Sequence, residues 1–178
     1  MKYVKEAVEP LNIDPKLKGA LTPSNPTCPN MYFLPKIHKD NNPGRPIVSG
    51  CACPTVEISR FLDIHLRPLV ETLPSYIQDT THFLSHIQEI NNQYSPLSPR
   101  AILVSADVCS LYSNIPHSEG IRATQQALET RPNPHPPTEQ LVRLLELILN
   151  LNYFSIPGQN IQTSSRDGHG DPMCPLIR

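Results

Sequence analysis

Residues 101–116, AILVSADVCSLYSNIP, set an apolar, partly β-branched run ahead of a single carboxylate and a helix start. The run at residues 101–104 suits a strand buried on both faces and is too short for a free-standing helix. Such a strand would run out near Asp107. An aromatic, Tyr112, follows five residues later, and Asn114-Ile115-Pro116 is a helix-start signal. An acid at the carboxyl end of a central strand is a usual way for α/β architectures to present a metal ligand on the floor of a site. A lone Asp after a strand also serves as a turn or cap residue. The stretch by itself leaves both readings open.

Downstream, Pro116 suits a first helical turn, and Ile121 with Leu128 gives the helix to about residue 130 a thin apolar stripe. A loop rich in proline (Pro132, Pro134, Pro136, Pro137) leads to Thr138, a candidate N-cap for a leucine-dense helix over residues 139–151. Residues 153–163 read as a hairpin with Pro157-Gly158 at its tip, in the positions a type II turn prefers.

Upstream, YFLPKIHKDNNPGRPIVSGCACPT spans residues 32–55. Residues 31–34 form a strand candidate, the polar turn Asp40-Asn41-Asn42-Pro43-Gly44 reverses the chain, and residues 45–49 form a second strand. A hairpin of this kind brings Lys36 and Lys39 on one arm towards Arg45 on the other. Arginine's planar fork suits phosphate oxygens and lysine adds point charge. The bland alternative is a solvated basic turn.

Two of these segments resemble the reverse transcriptases of Penelope-like retroelements. SADVCSLYSNIP is similar to that family's first catalytic motif, [ST]-x-D-V-x-S-L-[FY]-x-N-I-P. The segment at residues 32–55 is similar to its fingers signature, LPKxHK followed by RPIVS, in the same order and at about the same spacing. The resemblance runs from about Met31 onward. It implies an α+β fold, a partial right-hand polymerase in which helices pack on a small antiparallel sheet. Residues 1–30 are then an irregular amino-terminal segment, 31–100 are fingers and connecting helices, and 101–178 are an incomplete palm.

The resemblance also assigns roles. Asp107 becomes the catalytic carboxylate and, with the backbone carbonyl of Val108, a ligand for Mg²⁺. Arg45 contacts the incoming nucleotide's phosphates, Lys36 and Lys39 help with nucleotide or template, and Tyr112 stacks under the sugar and excludes a 2′-hydroxyl. Partners would be an RNA or DNA template–primer and deoxynucleotides. The family's second palm motif, Q-x-x-G-x-A-M-G-[ST]-x-[ML]-[AS]-P, is matched at Gln162, Gly170, Met173 and Pro175. Between Gln162 and Gly170 there is one residue too many, and His169 stands where methionine belongs. The family holds two metal ions with a further aspartate pair in a [YF]-x-D-D hairpin. No Asp-Asp pair occurs in these 178 residues, so the expectation is a truncated, catalytically incomplete polymerase with an exposed palm edge prone to aggregation or to binding a partner chain. A nucleic-acid binder without chemistry and a decayed open reading frame are the alternatives.

Bulk composition excludes little. Net charge is −1, with 38% hydrophobic residues, enough for a real core. A basic patch (Lys36, Lys39 and Arg45 against Asp40, with His38 among them) precedes a slightly acidic second half. Proline is frequent, 21 of 178, against a usual ~5%, and it falls between periodic segments as loop chemistry. Five cysteines include one C-x-C pair, Cys51 and Cys53, with no second Cys or His cluster to complete a zinc site. They read as reduced thiols of an intracellular protein, nuclear or cytoplasmic. Neither a membrane span nor a signal peptide is expected.

Two further helices are expected, over residues 56–73 (interrupted or not at Pro68) and 80–91, the latter with Phe83, Leu84, Ile87 and Ile90 turned inward. Residues 1–30 offer one short helical possibility at Val4, Ala7, Val8 and Leu11. His82 and His86, at i and i+4, have metal-ligand spacing, but no HExxH pattern or third ligand accompanies them, which favours surface residues.

Overall fold

A computed structural model describes residues 2–108, 111–151, 153–156 and 159–162. Its elements run α1 (Lys2–Val8), α2 (Pro15–Ala20), β1 (Met31–Pro35), β2 (Gly44–Val48), α3 (Val56–Glu71), α4 (Thr80–Tyr94), α5 (Leu111–Asn114), α6 (His117–Glu129), α7 (Thr138–Asn150), β3 (Tyr153–Ile156) and β4 (Gln159–Gln162). The architecture is mixed, helices with two separate two-stranded antiparallel sheets, β1–β2 and β3–β4. That agrees with an α+β class. Among the described residues no helix is long and apolar enough to cross a membrane.

The main core is helical. On α7 the leucines recur at a helical spacing, so Leu141 and Leu144 lie on one face and are fully buried. They join Ile58 and Leu62 of α3, Leu128 of α6, and Val4, Val8, Leu11 and Leu21 from the first 21 residues. The short helix expected near Val4 to Leu11 is present as α1, and the otherwise irregular amino-terminal segment adds α2 and contributes to the core. Asp14 caps α2 by accepting from the amides of Lys16 (2.7 Å) and Leu17 (3.3 Å), and Pro15 sits in its first turn. Both are ordinary helix-start chemistry. Their apolar partners are the buried faces of α3 and α7, far away in sequence.

Helix α3 passes through Pro68 without a break. Thr138 is not the cap of α7. Pro137 occupies that position, and the Thr138 hydroxyl accepts instead from Arg131 Nη2 at 3.2 Å. Arg131 also donates from Nε to the Leu128 carbonyl (2.9 Å) and from Nη2 to the Pro136 carbonyl (2.9 Å). It thus stitches the end of α6 to the proline-rich loop.

Arg131 also bears on His65, whose ring meets Phe61 edge-on with centroids 4.7 Å apart. Burial, and then the positive charge of Arg131 and His135, push the His65 imidazole below its ordinary value of 6.5. A depressed value means that the fold prefers the neutral ring. The associated stability is present above pH 6.5 and is lost as the pH falls below it towards the folded-state value. Denaturant midpoints measured at pH 7.5 and 5 are expected to fall on acidification. His65→Leu is expected to shrink that fall, and an unchanged fall would place the pH dependence elsewhere.

Two expected elements are overturned. Residues 101–104 form no strand: Ile102, Leu103 and Val104 are 85%, 96% and 79% exposed. A strand needs a partner for its amides and carbonyls, and neither described sheet contains one for this segment. Helix α4 forms, but Phe83, Leu84, Ile87 and Ile90 face solvent and no α4 residue is buried. Its amphipathic spacing was read correctly and its inward direction was not. The hairpin at residues 153–163 is present as β3 and β4, while its tip, Pro157-Gly158, lies outside the described residues.

Candidate nucleic-acid interface

The β1–β2 hairpin forms where its sequence pattern predicts it. Met31 pairs with Val48, Phe33 with Pro46, Leu34 with Arg45, and Pro35 with Gly44. Because side chains alternate across a strand, Met31 and Val48 turn to one face. They are buried there with Phe154 of β3 in a second small core. Arg45 shares the other face with Tyr32, Leu34 and Ile47, and it is exposed. The hairpin is anchored to β3 through the Ser155 amide, which donates to the Pro29 carbonyl at 2.8 Å.

Beyond the last rung, the Lys36 amide donates to the Pro43 carbonyl (3.0 Å). The turn then closes through Lys39 to Lys36 (3.0 Å) and Asn42 to Lys39 (3.1 Å). Asn41 and Asn42 take φ of 61° and 43°, the left-handed region that asparagine tolerates better than most residues. Gly44 suits its place for a different reason. A Cβ there would stand 3.1 Å from Cδ1 of Phe33, so the absent side chain lets the ring lie across β2.

The hairpin end therefore carries Lys36, Lys39 and Arg45 together. None of the three forms an ion pair with a described residue. The helical arginines differ. Arg60, Arg67, Arg122 and Arg143 each pair with an acid one turn away, Glu57, Asp63, Glu119 and Glu139. Their charge is locally balanced and that of the hairpin is not. Tyr32, on the Arg45 face, is exposed, as are Phe33 on the opposite face and Ile37 next to Lys36. Cations with an exposed aromatic on the same face suit a single-stranded nucleic acid, whose phosphates meet the charges and whose bases stack. Tyr32 and Phe33 were read only as strand residues. Their signal was aromatic side chains immediately preceding a basic run.

Asp107 lies in the irregular exposed segment with Val108, itself 61% exposed. Asp107 has no hydrogen bond or ion pair to a described residue. Among the described residues no group of three or more His, Cys, Asp or Glu side chains is disposed to hold a metal ion. The structure thus brings Lys36, Lys39 and Arg45 onto one hairpin and, among the described residues, joins no second carboxylate to Asp107. The side chains of Tyr112 and Gln162, and all of Gly170 with the second palm motif, lie outside the described residues. Cys28 and Cys51 are exposed free thiols, and Cys53 is buried with its sulfur 3.5 Å from the Thr55 hydroxyl. No protein-family model matches the chain, and no curated protein or solved structure matches it.

Proposed function

We propose that the chain is a fingers-and-palm portion of a reverse transcriptase of the Penelope-like type, and that its hairpin grips the phosphates of a template–primer or an incoming deoxynucleotide. The observation that carries this reading is the cation set Lys36, Lys39 and Arg45, without an ion pair to a described residue, at the end of a hairpin whose sequence resembles the family's fingers signature. SADVCSLYSNIP supports it in the family's order.

Mg²⁺ is the metal of that reaction, and the described residues do not fit it. A magnesium site uses carboxylate and water oxygens in octahedral array, and Asp107 supplies one carboxylate with no second one joined to it. The same observation favours a second reading, a nucleic-acid-binding module without catalysis, in which the hairpin works and Asp107 is a loop residue.

Both readings require the hairpin to bind nucleic acid, and salt dependence tests that. The chain is expected to bind an RNA–DNA template–primer with an affinity that falls linearly on a log–log plot against salt. Replacing Lys36, Lys39 and Arg45 together with alanine should weaken binding and reduce the slope by about 2–3, at roughly 0.7–0.9 per phosphate contact. An unchanged slope in the triple variant would remove the hairpin from the interface and defeat the proposal.

A further inference from the structure

On α4, His82 and His86 lie one turn apart with their Nε2 atoms 2.9 Å from each other. Their ring centroids are 4.6 Å apart. The Gln78 amide donates to His82 Nδ1 at 3.1 Å, so the His82 proton is assigned to Nε2 and is donated towards Nε2 of His86. That leaves the His86 proton on Nδ1, which faces Oε2 of Glu89 at 3.6 Å. The two rings thus turn their outer nitrogens towards each other on an exposed helix, and a carboxylate stands behind one of them.

We infer that His82 and His86 form a bidentate site for a late first-row divalent metal, Cu²⁺ or Ni²⁺ ahead of Zn²⁺. Metal–imidazole bonds of about 2.0–2.1 Å set two nitrogens about 2.9 Å apart when they meet at a right angle, and about 3.3 Å apart in a tetrahedron. The hydrogen-bonded nitrogens, 2.9 Å apart, need to move by only a few tenths of an ångström to span either arrangement, and the preference for Cu²⁺ and Ni²⁺ follows from the order of imidazole affinities among divalent metals. Both ligands ride on one helix and already face each other, so little ordering is needed. Glu89 behind Nδ1 of His86 supplies the carboxylate that orients a ligating imidazole and raises its basicity.

Binding has a defined internal cost. The metal takes the place of the proton on His82 Nε2, that proton moves to Nδ1, and the Gln78 bond is given up. The start of α4 survives, because its cap is Asp79, which accepts from the His82 backbone amide at 2.8 Å. No third described side chain completes a cluster, so water fills the remaining positions. Acid weakens the site, because each imidazole must be neutral to ligate. The inference is independent of Asp107 and of the polymerase reading.

The test is calorimetric titration of the full chain, free of affinity-tag histidines, with Ni²⁺ at pH 7.5. One equivalent is expected to bind. His82→Ala and His86→Ala should each lower the affinity by at least about tenfold, since even an outer partner of a ligating histidine is worth 10–100-fold. Glu89→Gln should lower it less, and His117→Ala, which leaves the pair intact, should not change it. The Gln78 amide resonance should shift on binding while the α4 helical signature persists. Absence of Ni²⁺ binding, or binding that survives both His82→Ala and His86→Ala, would overturn the inference. The second outcome would direct attention to the thiols.

Discussion

Leu144→Ala is expected to lower the unfolding free energy by about 3 kcal/mol, within the 2–5 kcal/mol of buried leucine truncations. Leu144 is fully buried, and its cluster includes Leu141 of the same helix, Ile58 and Leu62 of α3, Leu128 of α6 and the α1 valines. A cavity there removes contacts from helices at both ends of the chain, so none of them can close the gap by moving alone. For a chain of this size the melting temperature should fall by roughly 6–12 °C. Leu84→Ala on α4 is the matched control. Leu84 is 59% exposed, and its truncation should stay within about 0.5 kcal/mol. Urea unfolding with an unchanged slope separates the two. Equal effects at the two positions would mean that α4 is covered in solution, or that the α3–α6–α7 core is not the one described.

Primer extension is the second large effect. On the proposed polymerase reading these 178 residues are expected to make no product on an RNA template with Mg²⁺, because that reading assigns a metal-binding carboxylate to Asp107 alone and no Asp-Asp pair occurs in the sequence. A chain joined to a palm hairpin bearing an Asp-Asp pair is expected to extend the primer. Asp107→Asn in that longer chain should then cost about 10³-fold, since the metals contribute several kcal/mol and each 1.36 kcal/mol is tenfold. Synthesis by the 178 residues alone, lost in Asp107→Asn, would mean that another carboxylate completes the site. Silence from every chain would leave the nucleic-acid-binding reading in possession.

Both experiments turn on one contrast within the fold. The helices α3, α6 and α7 bury apolar residues in a shared core. Helix α4 and the run at residues 101–104 bury none and leave large apolar side chains in solvent. Exposed apolar surface on this scale marks an interface or an aggregation liability. A partner chain along these surfaces, or self-association, is the outcome proposed for them.

Much of the local structure was legible in the amino acids. The Asp-Asn-Asn-Pro-Gly turn and its flanking alternation were enough for the β1–β2 hairpin, because turn chemistry and period-two patterning act over a few residues. The leucine spacing of α7 and the apolar spacing of α3 were enough for their buried faces, and the same kind of periodicity found α4. Asp14-Pro15 carried an equally local signal for α2 that was overlooked. Direction and partnership lay beyond such signals. Whether Ile102, Leu103 and Val104 pair in a sheet depends on strands distant in sequence, and whether Leu84 faces inward depends on what else reaches it. The amino-terminal helices became core only because α3 and α7 present them with apolar faces more than 30 residues away. The hairpin's cations are evident in the sequence, but only the folded chain shows that they form no ion pair with a described acid, while the helical arginines do. Period and capping are properties of a segment; burial and charge balance belong to the assembled chain.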